Sequence, residues 1–379
     1  MILSLEFMKI CFFIDFFLPH YYGGGQVRLC ELAKRLQKKG HEITIVTMRH
    51  PNVSEQETVE GLNIQHIGPV IQHPPTRTIK DLFVFFFAVR TWLKQHRYDV
   101  VCAEGMSLFP CYFFAGSTPV VATVHDVSTE AKDQWFGLGT ISRLGEKVAL
   151  KLPYARIITV SNAVKQELIS RYHVSQQRIA VIPNAVDAKK LQTVRALPLQ
   201  KKTLVFIGRF IPHKHVDDLL QAFAKVHKIN RSVQLLLFGS GPEEENLRRL
   251  TKELLLEKGV QFYINAPTKE VMGRLKCSAA LVLPSTREGF GITLAEAGVL
   301  GIPVIAYDIP AVREVVLNNK TGILVPVRDV EELANAVLFM LKYPKKAQLL
   351  GRAAQSYICS SFNWDVSAQL FDELLKNLE

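Results

Sequence analysis

Two glutamates eight positions apart, Glu288 and Glu296, flank a Gly-Phe-Gly turn in the stretch PSTREGFGITLAEAGVLGIP, residues 284–303. Carboxylates placed this way can hold different parts of one elongated, hydroxyl-bearing ligand. The apolar run 279–283 before them reads as a buried strand. Ile292, Leu294, Ala295 and Val299 follow helical spacing after Gly291. Glu288 then stands on the loop and Glu296 about one turn into the helix. The turn exposes backbone N–H groups at a helix N-terminus, a ready anion site. An isolated pair of glutamates with this spacing is usually helix surface, with the first complementing the helix dipole. The glycines and flanking prolines make a site the better reading here.

Other residues could share that chemistry. Arg209 and Lys214 lie five apart in the loop after an apolar strand, where both can reach one diphosphate. Arginine supplies a fork of donors and lysine a point charge. Alone, such a pair is an ordinary solvated loop. His125 closes the run Val120–Val124; at the end of an inner parallel strand it faces the crevice where open α/β sheets bind ligands. Without further context it reads as a satisfied core histidine. Gly23-Gly24-Gly25 follows the first strand and lets a substrate approach the backbone closely, although it does not form the dinucleotide fingerprint.

EGFGITLAEA with a following GIPV, 79 residues after Arg209, resembles the E-x7-E signature of the retaining nucleotide-sugar glycosyltransferases with the GT-B fold, called family four or glycosyl transferases group 1. TVHD at 123–126 and IPNAVD at 182–187 extend the likeness over nearly the whole chain from Met8. Ala185 replaces the family's usual glycine, and Ile264 stands at another. The resemblance implies that Arg209 and Lys214 neutralise the leaving nucleotide diphosphate and that Glu296 accepts hydrogen bonds from the ribose. It implies that Glu288, with the amides of Phe290 and Gly291, holds hydroxyls of the transferred sugar, and that Ile292 and Thr293 complete the donor site. His125 would lie near the reacting carbon, with Gly24 and Gly25 over the phosphates. No metal, no cofactor and no carboxylate nucleophile are implied, and no D-x-D stands at a strand end. The substrates would be a nucleotide-diphosphate sugar and a lipid-linked or glycan acceptor. A catalytically silent sugar-nucleotide-binding protein and a nucleotide-sugar epimerase of the same fold are the alternatives.

The positioning elements alternate strand and helix twice along the chain, which predicts two Rossmann-like parallel-sheet domains facing an interdomain cleft. The boundaries are 1–188 for an N-terminal acceptor domain and 203–360 for the donor domain. Residues 189–202, with five basic residues and no acid, read as a linker. Residues 361–379 form a helix that in the family crosses back to the first domain. Met8-Lys9-Ile10 has the form of a natural start, with residues 1–7 an upstream extension. The spacing over 79–96 predicts a helix with one stripe of Leu82, Phe86, Val89 and Leu93. An adjacent stripe mixes Phe83 and Phe87 with Arg90 and Lys94. It reads equally as a face for an anionic bilayer and as a core helix with snorkelling ends.

Composition fits these readings. The 379 residues, 48% of them hydrophobic, suffice for two cores. The longest uncharged apolar run, 82–89, is 8 residues, far short of a membrane span. Six scattered cysteines without a CxxC pair suggest a reducing, cytoplasmic setting, at most peripheral on a membrane. The net charge of +11 calls for an anionic partner. No nucleic-acid-binding signature is present, so nucleotide phosphates or an acidic membrane surface are the expected ones.

Overall fold

A computed structural model describes residues 7–20, 23–72, 77–127, 145, 147–199 and 202–378. The chain divides into two compact units, Met1–Asn184 with Trp364–Glu379, and Ala185–Asn363.

The first unit is built on an eight-stranded sheet. Its strands are β1 (Lys9–Phe13), β2 (Glu42–Arg49), β3 (Gln56–Val59), β4 (Leu62–Val70), β5 (Val100–Glu104), β6 (Val120–Val124), β7 (Arg156–Thr159) and β8 (Ile179–Val181). Their order is β3-β4-β2-β1-β5-β6-β7-β8. Inner strands such as β5 and β6 are buried at every position, as continuous apolar runs covered on both faces must be. The sheet is parallel apart from the β3–β4 hairpin, whose antiparallel pairing sets Glu57 opposite Ile64. That hairpin is absent from the sequence reading because its residues alternate weakly and carry polar side chains on both strands.

Helix Gly24–Lys38 starts at the glycines themselves, with Gly23 as its uncapped N-terminus. Helix Trp364–Lys376 belongs to this unit. Phe371 packs on Phe12, with ring centroids 5.9 Å apart, and Arg35 bonds Asp365 at 2.6 Å. Burial opposes ionisation of Asp372. Lys39, Lys376 and His41 around it outweigh that and hold its carboxyl below the ordinary range. In helix Ile79–Gln95, opened by a Thr78–Asp81 capping box, the buried stripe is Phe85, Val89 and Leu93. Phe85 thus takes the core position expected of Phe86, while Phe83 and Phe87 stay exposed.

The second unit carries a six-stranded, all-parallel sheet ordered β11-β10-β9-β12-β13-β14. These strands are β9 (Thr203–Ile207), β10 (Gln234–Phe238), β11 (Val260–Tyr263), β12 (Ala280–Leu283), β13 (Val304–Tyr307) and β14 (Gly322–Val325). The expected linker 189–202 is not a free tether over its described residues. It opens with helix Ala188–Gln192, and Leu191 is buried. Lys276 caps the Gln192 and Val194 carbonyls, and the Leu197 amide bonds the Gly273 carbonyl at 2.9 Å. Its carbonyls and two leucines dock the described part of it on this unit.

Candidate functional site

Helix Ile292–Val299 is set deep in the second unit. Gly298 packs where an added Cβ would meet Ile358 at 2.8 Å, so helix Pro344–Ser361 lies directly against it. Gln355 donates to the Val299 carbonyl at 2.7 Å, and the rings of Phe290 and Phe362 meet at 5.0 Å. Phe290 is 3% exposed, so its side chain is an anchor and only its backbone can serve a ligand. Gly291 turns the chain at φ +92°, a conformation that favours glycine. The amides of Leu294 and Ala295 close back on its carbonyl. No side chain caps this terminus, so the first amides, including those of Ile292 and Thr293, keep their donor capacity.

Glu296 lies in the second turn, half-buried. Burial pushes its carboxyl up to about 7, and no side chain pairs with it among the described residues. A desolvated carboxylate without a partner is suited to accepting hydrogen bonds from a ligand's hydroxyls. Glu288, on the loop after β12, receives Lys214 Nζ at 2.6 Å. Burial pulls this carboxyl upward, but the Lys214 ammonium prevails and holds it below its usual range.

The loop after β9 places Arg209 and Lys214. Phe210, fully buried, pins it, and its amide bonds the Ser240 carbonyl at 2.9 Å. The Thr286 amide donates to the His213 carbonyl at 2.9 Å, so the loops after neighbouring β9 and β12 are joined by backbone as well as by the ion pair. Burial and the Lys214 charge push His213 down to about 4, so it is neutral at ordinary pH. Arg209 is half-buried at the strand end.

The first unit assembles a second constellation. His125 follows β6, and its Nε2 lies 2.8 Å from Glu104 Oε2 at the end of neighbouring β5. Gly25 stands against the imidazole: a Cβ there would lie 3.2 Å from Nε2. Gly24, one residue earlier, is exposed. Arg28, fully buried in the helix that Gly24 begins, donates to the carbonyls of Ile182 and Pro183 and to Asn184 Oδ1. It thereby ties the IPN stretch to the glycine helix. Burial lowers Arg28 to about 10, and the Glu104 carboxylate opposes the fall.

The structure therefore brings Lys214 to Glu288 and Gly25 to His125. It adds Glu104 and Arg28, which the sequence reading passed over. An acid ending an apolar strand beside His125's strand, and a cation inside an apolar helical stripe, were the available signals.

Residues 187–357 match the family model described as glycosyl transferases group 1, and residues 22–190 match that of glycosyltransferase family 4. The glycogen synthase of Mycobacterium tuberculosis is 28% identical, across 92% of this chain and 90% of that protein. The phosphatidyl-myo-inositol mannosyltransferase of Mycobacterium leprae is 26% identical over 84% of each. Among solved structures, a sucrose-phosphate synthase from Thermosynechococcus elongatus superposes with a TM-score of 0.86 at 23% identity, covering 98% of both chains. Anabaena HepE, solved with UDP-glucose, gives 0.79 at 18% identity over 98% of this chain and all of that one.

Proposed function

The chain belongs to the GT-B glycosyltransferases of family four (glycosyl transferases group 1), and from that premise we propose that it moves a hexosyl unit from a nucleotide-diphosphate sugar to a lipid-linked or glycan acceptor. Transfer retains the anomeric configuration and needs no metal at the donor phosphates. The observation that carries this reading is the half-buried, desolvated carboxylate of Glu296, without a side-chain partner among the described residues, on a helix whose uncapped start adjoins the Lys214–Glu288 pair.

In this mechanism the ribose hydroxyls donate to Glu296, and the diphosphate takes the amides of Ile292 and Thr293. Arg209 and Lys214 stabilise the negative charge that grows on the departing phosphate, the task a metal performs in other enzymes. Glu288, steadied by Lys214, accepts from sugar hydroxyls together with the donor amides of Phe290 and Gly291. A carboxylate held low by an ammonium is a poor nucleophile. That favours attack by the acceptor on the face the phosphate leaves, over a glycosyl-enzyme route. The resemblance also gives His125, braced by Glu104, the place near the reacting carbon, and Gly24 and Gly25 the place over the phosphates.

The acceptor side draws on a different surface. Phe83, Phe87 and Phe113 are 63%, 57% and 52% exposed, beside Lys80, Arg90 and Lys94. Aromatics among cations suit the headgroup region of an anionic bilayer, with electrostatic attraction of about 1 kcal/mol for each cation near the surface. No described helix is long and apolar enough to cross a membrane. The M. leprae relative is named for a lipid acceptor, which agrees with a membrane-borne one.

A thermal-shift screen of nucleotide sugars tests the donor assignment, because specific donors stabilise the folded chain by mass action. The expected result is one stabilising sugar class, transfer from it that survives EDTA, and cosedimentation with anionic vesicles that weakens in salt. Stabilisation without transfer or hydrolysis would favour the silent binding protein. An altered nucleotide sugar formed without acceptor would favour the epimerase. Loss of transfer in EDTA at an unchanged melting temperature, with recovery on metal addition, would overturn the metal-free reading.

A further inference from the structure

Near the sheet edge remote from His125, four chain segments bring three imidazoles around one carboxylate. Glu57 on β3 faces Ile64 of β4, two residues before His66, so Glu57 and His66 leave the same face as diagonal neighbours. His20 reaches them from the loop after β1, and His50 lies just past the end of β2. Glu57 Oε1 lies 2.8 Å from His66 Nε2 and 3.1 Å from His20 Nε2, and Glu57 Oε2 lies 3.4 Å from the latter. Ligand atoms placed tetrahedrally around zinc, each about 2.0–2.1 Å from it, stand roughly 3.3 Å apart.

His66 is held from behind by its other nitrogen. Nδ1 lies 3.2 Å from the Met48 carbonyl, to which it can only donate. In the tautomer that donates there, the Nε2 lone pair points toward Glu57, where a divalent cation can take both groups. An N–H donated to a backbone carbonyl behind the ring is also the usual support of a metal-binding histidine. The His66 side chain is 1% exposed, whereas His20 and Glu57 keep 26% and 22%, which leaves an ion a way in. His50 gives an independent sign. It is 6% exposed, with no hydrogen-bond partner at Nε2 among the described residues. Its ring centroid lies 4.9 Å from that of His20 and 6.0 Å from that of His66.

We propose that His20, Glu57 and His66 form a site for a divalent transition metal of the zinc type, with His50 beside it as a further nitrogen donor. Two imidazoles and one carboxylate favour zinc, cobalt or nickel over magnesium or calcium, which prefer all-oxygen shells. The metal's role is structural: it fastens the loop after β1, which runs on to the glycines at the start of helix Gly24–Lys38, to the β3–β4 hairpin.

The test uses the full chain stripped with chelator and titrated with zinc chloride alone, reading the melting temperature, and with cobalt(II) alone, reading its visible absorption. The expected result is a saturable rise in Tm and an intense cobalt band of low coordination number. Both should weaken by about tenfold or more in affinity in His20→Ala and in Glu57→Gln. These two positions are partly exposed, so the variants fold where His66→Ala could fail. His215→Ala, which disrupts the other candidate cluster of His215, Asp217 and Asp218, should leave zinc binding unchanged. No saturable zinc effect, binding intact in both His20→Ala and Glu57→Gln, or loss in His215→Ala instead would overturn the proposal.

Discussion

Each unit pairs a nitrogen-bearing side chain with a carboxylate where neighbouring parallel strands end, and the two pairs are built differently. Lys214 and Glu288 meet at 2.6 Å with side chains 15% and 12% exposed, and the loops that carry them are also joined by the Thr286–His213 backbone bond. His125 and Glu104 meet at 2.8 Å, but Glu104 is 5% exposed and His125 is 29%. Glu104 is fixed further by Ser107, whose hydroxyl accepts from the Glu104 amide and donates to its carbonyl. One pair is thus immobilised on both sides, whereas the other is a rigid carboxylate steering an accessible ring. A rigid pair suits a charge that stays put, as on a diphosphate. A steered ring suits atoms that change during reaction.

The sharpest way to break this contrast is Lys214→Ala. Losing a preorganised cation from a developing negative charge costs about 10²-fold in transfer. It also leaves Glu288 ionised and enclosed without its partner, at about 3 kcal/mol of stability. Urea denaturation and steady-state transfer read the two effects separately. Adding Glu288→Gln should recover the stability and leave transfer low. Recovery of transfer in the double variant would mean that the pair only braces the loops.

Glu104→Gln probes the other pair. The amide keeps the shape but loses the charge that orients His125, and small misplacement of a reacting group is costly. We expect kcat to fall about tenfold with the nucleoside diphosphate Kd unchanged. Equal losses in kcat and in nucleotide affinity would erase the distinction between the two pairs. Gly25→Ala comes next. Its Cβ would sit 3.2 Å from His125 Nε2, so the ring must yield by a few tenths of an ångström. A loss of about threefold in kcat, without loss of folding, is the expected reading.

The two sites were unequally legible in the sequence. The second unit's groups fall in two short stretches, 209–214 and 284–296, each following an apolar strand, so spacing alone placed them on a turn and a helix. The first unit's site joins Gly25, Arg28, Glu104, His125 and Asn184, and only the three-dimensional pairing of β5 with β6 puts Glu104 beside His125. The continuous apolar run of β6 had the expected limits. The β3–β4 hairpin, β14 and helix Pro344–Ser361 went unread because their patterns are short, polar or punctuated by glycine. The stretch 189–202 shows a related difference: its composition suggested a linker, whereas backbone hydrogen bonds dock its described residues on the second unit.

The last expected effect is a pH slope that Glu296 gives the second unit. Burial raises Glu296 from an ordinary 4.5 to about 7. A carboxyl raised on folding favours the protonated folded state. Its contribution is fully present below the unfolded value of 4.5 and is lost as pH rises through about 7. Unliganded Glu296→Gln should therefore gain stability relative to the parent as pH climbs from about 5 to 8. Ligand binding runs the other way. Ribose hydroxyls donate to the ionised carboxylate, so binding must draw off its proton wherever the free protein still holds it. A group titrating near 7 is about nine-tenths protonated at pH 6 and about nine-tenths ionised at pH 8. The nucleoside diphosphate should then bind up to about tenfold more tightly at the higher pH. Its own phosphate titration is common to both proteins and cancels in the difference between parent and Glu296→Gln, measured by calorimetry. A difference that does not change with pH would place the ribose elsewhere and leave Glu296 a buried acid of the helix.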